Sequence, residues 1–146
     1  MRHDFKILSV NISRQTGEQK QPVERALLVV SHGLEGDAHA GDWHRQVSLL
    51  ADEDIDTMRA RGLELTGGEF AENITTAGVD LAALPVGTRL HVGEAVLEVT
   101  QIVKECHQGC AIFQAVGECV MPKRGIFTRV LAGGEISCES RCYYDL

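Results

Sequence analysis

Thr88-Arg89-Leu90-His91-Val92-Gly93-Glu94-Ala95-Val96-Leu97-Glu98-Val99-Thr100-Gln101-Ile102-Val103 carries the reading of the fold. It divides into two strand-forming runs, residues 88–92 and 95–103, which meet at the hairpin turn signal Gly93-Glu94. Upstream, Phe5, Ile7, Leu8, Val10 and Ile12 predict an opening strand that gives way to a polar segment, 14–21, with Thr16-Gly17-Glu18 at its tip. Residues 23–30 and 46–50 predict two further strands. Asp52-Glu53-Asp54 begins a helix, its acidic groups suited to the positive end of the helix dipole. Ile55 and Met58 share one face of that helix, Gly62 ends it and Gly67-Gly68 marks the next turn. Downstream, residues 111–116 predict a short helix with Ile112, Phe113 and Val116 on one side. Residues 126–131 and Ile136 onward predict a closing pair around Ala132-Gly133-Gly134.

The pattern amounts to roughly six to eight short strands with one good helix and one short one, and it lacks crossovers for repeated parallel βαβ units. The expected fold is mainly β: an irregular, closed or nearly closed barrel with one or two peripheral helices. At 146 residues and 44% hydrophobic, the chain has enough apolar material for one sizeable core, and residues 1–146 are expected to form a single domain. Acidic groups outnumber basic ones, 21 to 14, for a net charge of -7. General attraction for a nucleic-acid backbone is thereby disfavoured, while a local basic site for a small anion is not. The amino end, Met1-Arg2-His3-Asp4-Phe5, has no apolar run of signal-peptide length behind it, and no stretch approaches membrane-spanning length. A soluble, cytoplasmic protein without a membrane or nucleic-acid partner is expected.

Three constellations carry chemistry. The first is Cys106-His107-Gln108-Gly109-Cys110, extended to Cys119. A thiolate is a strong nucleophile and a soft metal ligand; Lys104 and His107 favour it here and Glu105 opposes it. Three readings stay open: a reactive sulfur site, half of a metal site, or buried thiols acting as small hydrophobes. For structural zinc, paired cysteines commonly stand about two to four residues apart, which Cys106 and Cys110 satisfy. Cys119, Cys138 or Cys142 would complete such a set, although no second clean pair exists. A redox disulfide lacks the Cys-x-x-Cys spacing. All five cysteines fall within residues 106–142, which does not make a disulfide framework for the whole domain.

The second constellation is His32-Gly33-Leu34-Glu35-Gly36-Asp37-Ala38-His39, followed by Asp42, His44 and Arg45. Its glycines admit close approach of a ligand, and its histidines and aspartates suit alignment, proton transfer or metal binding. The alternative is a solvated turn. The third is Gly68-Glu69-Phe70-Ala71-Glu72-Asn73-Ile74-Thr75. Asn73 has two amide ends with which to tie loops together or orient a ligand, and Glu72 is suited to accepting a proton. The alternative is turn stabilisation, with Phe70 and Ile74 as core anchors.

Taken in order, these segments resemble the MOSC domain, named after the carboxyl-terminal part of molybdenum cofactor sulfurases, and in particular its small bacterial members. The resemblance rests on Gly33 to Gly41, Arg45 to Leu50, Phe70-x-Glu72-Asn73-Ile74, Val86-Gly87-x-x-Leu90-x-Val92-Gly93 and Lys104-Glu105-Cys106-His107-x-Gly109-Cys110. It continues through Met121-Pro122, Gly125-Ile126-Phe127, Arg129-Val130-Leu131 and Gly133-Gly134, covering roughly residues 5–137. It implies an irregular β-barrel, the same fold reached from the strand count. It also implies handling of cysteine-bound sulfur, binding of the molybdenum-pterin cofactor or, in some members, reduction of N-hydroxylated compounds.

Under this resemblance Cys106 stands at the family's cysteine position, where it would carry a persulfide or supply a thiolate to molybdenum. Cys110 is then the candidate resolving thiol and His107 the local cation or acid, with Asp37, His39 and Asn73 as further catalytic candidates. Arg45, Lys104, Lys123, Arg124 and Arg129 are the candidates for the phosphate of a small anionic pterin ligand. The pyridoxal-phosphate part of a full sulfurase has no counterpart in these residues. Carried sulfur is therefore expected from a partner, such as a cysteine desulfurase or a protein that makes or uses molybdenum cofactor. A non-enzymatic molybdopterin carrier and a zinc-stabilised module remain the alternatives. One departure stands out: Cys138 replaces the glycine usual in the final turn.

Overall fold

The structure is a computed structural model that describes residues 2–14, 20–38, 40–43, 45–60, 62, 72–101 and 125–145. The expected loop tip at Thr16-Gly17-Glu18, the turn at Gly67-Gly68 and the helix at 111–116 lie outside these residues. In chain order the strands are β1 (Arg2–Ile12), β2 (Gln21–Val23), β3 (Arg25–Val29), β4 (Gly33–Leu34), β5 (Val47–Ala51), β6 (Ile74–Ala77), β7 (Arg89–Val92), β8 (Ala95–Gln101), β9 (Ile126–Ala132), β10 (Gly134–Ser137) and β11 (Cys142–Asp145). Helix α1 (Asp52–Arg59) follows β5, and a 3-10 turn spans Leu81–Ala83.

Seven strands close into a barrel in the order β11-β7-β8-β9-β5-β6-β1, with β1 pairing back onto β11. The hairpin forms as its sequence requires, Val92 facing Ala95 across Gly93-Glu94. β1 is long enough to serve three partners because a bulge divides it. Ile7 faces Thr76 and Ser9 faces Thr75 on β6, which leaves Leu8 as the extra residue. The extra residue reverses the alternation. Phe5 and Ile7 point into the barrel before it and Val10 after it, all three buried, while Leu8 is 46% exposed. The irregular apolar spacing of the sequence is thereby reconciled with a single inward face. The core continues through Leu49, Ile74, Leu90, Leu97 and Ile126, each fully buried and each contributing about 1.5–3 kcal/mol.

The structure departs from the expected elements in three places. The run at 23–30 is not one strand: β2 hangs on β1, whereas β3 belongs to a separate three-stranded sheet, β10-β3-β4. Residues 126–131 and Ile136 onward do not close on each other. β9 pairs with β8 and β5, and β10 leaves to pair with β3. Gly133 is the reason, because its Cα passes so close to β3 that a Cβ would lie 2.6 Å from the Leu28 carbonyl oxygen. Finally, one parallel pair does occur, β5 with β6, joined across α1. Ile55 and Met58 bury the inner face of α1 against the outside of these two strands, and Arg59 bonds back to Asp52 at 2.8 Å.

Candidate functional site

Beyond the bulge, the positions of β1 that face away from the barrel interior are polar and lead into Asn11 and Ser13. Both are nevertheless buried, Asn11 fully. Three segments cover them: the chain at Lys20, the turns after β4 around Asp37, and the approach to β6 at Glu72-Asn73. Asn73 uses both ends of its amide. Its Oδ1 accepts from the Ser48 N–H (3.0 Å) and hydroxyl (3.3 Å), and its Nδ2 donates to the Asn11 carbonyl at 3.2 Å. Its backbone N–H donates to the Ser48 carbonyl and its carbonyl accepts the Asn11 N–H at 2.6 Å. Of the two roles open to Asn73, tying loops is the one that these bonds perform.

Asp37 lies beside it. Its Oδ1 accepts from Lys20 Nζ at 2.7 Å and from the Ser13 N–H at 3.0 Å, and Ala38 N–H returns a bond to the Ser13 carbonyl at 2.8 Å. The side chains of Lys20 and Asp37 are 1% and 0% exposed. Glu72, also fully buried, accepts the Thr75 hydroxyl at 3.2 Å, and Thr75 in turn accepts from Asn11 Nδ2 at 3.3 Å. The result is an ammonium paired with Asp37 in a buried cluster that also holds the Glu72 carboxylate, cross-linked by amides and hydroxyls. Burial alone would raise the Asp37 carboxyl; the bonds from Lys20, Ser13 and Asn73 outweigh it and hold the carboxyl below its ordinary value. At Lys20 burial prevails over Asp37 and Glu72, and the ammonium is held below its ordinary value. The segment around Asp37 is ordered by its own turns, with Asp37 N–H donating to Leu34, Ala40 N–H to Asp37 and Gly41 N–H to His32.

The structure thus brings Asp37 and Asn73 together, and it adds four residues that the sequence did not single out: Asn11, Ser13, Lys20 and Ser48. Lys20 gave no signal of its own. It falls in a polar run that reads as solvated loop, with its partner 17 positions away. Arg45 is half-buried with its guanidinium 5.0 Å from the centre of the Phe127 ring, a cation–π distance. Arg129 points outward on β9 and pairs with Glu98 on β8 at 2.6 Å. Cys138 is exposed, and its thiol bonds the carbonyl of the bulge residue Leu8 at 3.2 Å. Cys142 lies in the barrel core, where burial pushes its thiol up to about 12, so it is the inert kind of cysteine. Cys106, His107, Cys110, Cys119, His39, His44, Lys104, Lys123, Arg124 and Phe70 lie outside the described residues. Among the described residues no three of His, Cys, Asp or Glu gather as a metal site, and no helix is long and apolar enough to cross a membrane.

Residues 35–142 match the MOSC domain family. The chain belongs to the MOSC family. The match takes in Asp37, Asn73 and the cysteine segment together. Solved structures share the MOSC fold. The YUAD protein from Bacillus subtilis superposes with a TM-score of 0.81 at 17% identity, over 99% of this chain and 97% of that one. YiiM from Geobacillus stearothermophilus gives 0.74 at 20%, over 97% of this chain and 75% of that one. YiiM from Escherichia coli gives 0.64 at 22%, over 100% and 70%. No curated protein matches the chain significantly by sequence.

The fit to a molybdenum-pterin cofactor divides in two. The buried cluster holds two carboxylates and one ammonium already bonded to neighbours, a donor set that suits neither an anionic phosphate nor dithiolene sulfur. Arg45, half-buried and stacked on Phe127, has the charge and planar fork that suit a phosphate.

Proposed function

We propose that this MOSC protein handles molybdenum cofactor or cysteine-bound sulfur, with Cys106 as its working thiol. The observation that supports this reading best is the convergence of Asp37 and Asn73. They stand in two separate segments within the matched residues 35–142, and both are held in one buried cluster of this chain through Ser13 and Asn11. A scaffold of that kind holds loops in fixed relation, which a thiol presented to a partner or a cofactor needs.

As a sulfur carrier, the Cys106 thiolate attacks the outer sulfur of a partner's persulfide, such as that of a cysteine desulfurase. One S–S bond breaks and one forms; the partner leaves as its thiolate and Cys106 keeps the –S–SH group. His107 stabilises the thiolate, and Cys110 resolves the persulfide by attacking the Cys106 sulfur, forming a Cys106–Cys110 disulfide as the outer sulfur leaves as hydrosulfide. As a cofactor protein, Cys106 would be the ligand that holds molybdenum, and the cofactor would supply redox chemistry when bound. Arg45, Lys104, Lys123, Arg124 and Arg129 are the groups for its phosphate; Arg129 would exchange Glu98 for it. Asp37 and Asn73 hold the loops of the buried cluster together, and His39 is a catalytic candidate under the family resemblance.

Metal analysis and intact mass of protein from its native host separate the branches. An added sulfur marks the carrier, and molybdenum marks the cofactor protein. Cys106→Ser is expected to abolish whichever is found while leaving the far-ultraviolet circular dichroism unchanged. Retention of both sulfur labelling and molybdenum by that variant would remove Cys106 from the role.

A further inference from the structure

An ion pair withdrawn from water recovers in mutual attraction roughly what it loses in hydration, so stability alone does not account for Lys20–Asp37. Its placement does. Lys20 is anchored near the start of β2, yet its ammonium bonds the Asp37 carboxylate at 2.7 Å and the Ser13 hydroxyl at 3.4 Å, and it lies within the field of Glu72. Asp37 and Glu72 belong to different segments, the turns after β4 and the approach to β6. Lys20 pins Asp37 to the end of β1 through Ser13. Ser13 completes the clasp, its N–H donating to Asp37 and its carbonyl accepting from Ala38. The turns that follow β4 are tied together, with Asp37 N–H bonded to Leu34, Ala40 N–H to Asp37 and Gly41 N–H to His32. What fixes Asp37 thereby fixes the loop.

We infer that Lys20 is a positioning residue. By holding the Asp37 carboxylate against Ser13 at the end of β1, it sets the attitude of the turns after β4 relative to β1. Its bearing on sulfur or cofactor handling rests on the role proposed for Cys106; its bearing on the loop does not. A neutral side chain of similar length at this position leaves the buried Asp37 carboxylate without its ammonium, and the turns after β4 lose that anchor to the end of β1.

Amide hydrogen exchange on the full chain tests this with Lys20→Met and with the double variant Lys20→Met/Asp37→Asn, which removes the stranded Asp37 charge and so guards against a fold too weak to study. The expected result is that the Asp37, Ala38 and Gly41 amides of the double variant exchange about tenfold faster or more, while β5 and β9 amides keep wild-type rates. Sulfur labelling of Cys106, with a cysteine desulfurase and free cysteine as the probe, is expected to fall in parallel. Loop amides within about twofold of wild type, or loop and barrel amides accelerating together, would overturn the positioning role. Where wild-type Cys106 itself takes up no sulfur, the carrier branch of the proposed function fails, and the exchange rates still decide the case of Lys20.

Discussion

Asp37 is a carboxylate under opposed influences, and the balance predicts how stability changes with acid. Burial favours its neutral form, but Lys20, the Ser13 N–H and Asn73 favour the charged one and prevail, so its folded-state value lies below the ordinary 3.8. A carboxylate depressed in this way contributes stability that is fully present above its unfolded value. That contribution is lost as pH falls through the folded value, because there the unfolded chain binds the proton first. Urea midpoints measured from neutral pH downward should therefore show an acid limb that Asp37→Asn flattens. An unchanged limb in that variant would assign the acid sensitivity to other carboxylates. At this scale the sequence was informative wherever a residue type is unusual for its setting. Asp37 among glycines and Asn73 before a strand were legible as candidates, and both lie in the cluster. Lys20 was not, because a lysine in a polar run carries no mark of the buried partner that a distant turn supplies.

At the scale of elements, local pattern was legible wherever a strand's partner is its neighbour in the chain. The β7–β8 hairpin and α1 stand where alternation and acidic first-turn residues placed them. Pairing between distant segments was not written locally: β10 joins β3 instead of β9, and β5 lies parallel to β6. Glycines mark two close approaches between segments, Gly133 against β3 and Gly33 against Gln46. Gly33 in β4 has φ of +120°, and a Cβ there would stand 2.5 Å from the Gln46 carbonyl oxygen. The obstacle is backbone just ahead of β5, and it cannot rotate away as a side chain would. Gln46 is itself held, its Oε1 accepting the Val130 N–H at 2.9 Å. Gly33→Ala is thus expected to cost about 2–4 kcal/mol, from backbone strain and displacement of the β4–β5 contact together. Chemical denaturation of the variant checks it. A loss below about 0.5 kcal/mol would mean that the junction yields more easily than its geometry implies.

The whole molecule is a ring closed by its first and last strands, and that seam has a kinetic consequence. Arg2 faces Asp145 and Phe5 faces Cys142, so the pairing joins residues as far apart in sequence as the chain provides. Closing so long a loop costs the most entropy of any pairing in the barrel, whereas the β7–β8 hairpin closes almost without cost. Contacts of the seam should therefore form after the folding transition state, once β7, β8 and β9 have assembled a surface for β11 to join. Tyr144 is the probe, since it is buried on the seam with His3 stacked at 5.1 Å and Phe5 at 6.1 Å. Removing its ring with Tyr144→Ala should destabilise the fold by about 3 kcal/mol or more. If the seam forms late, nearly all of that loss appears as faster unfolding, with the folding rate almost unchanged. Stopped-flow folding and unfolding rates against denaturant separate the two. A folding rate that drops in proportion to the stability lost would instead place the β1–β11 seam in the nucleus. Barrel closure would then be the event that organises the remaining strands, and the local hairpin would follow from it.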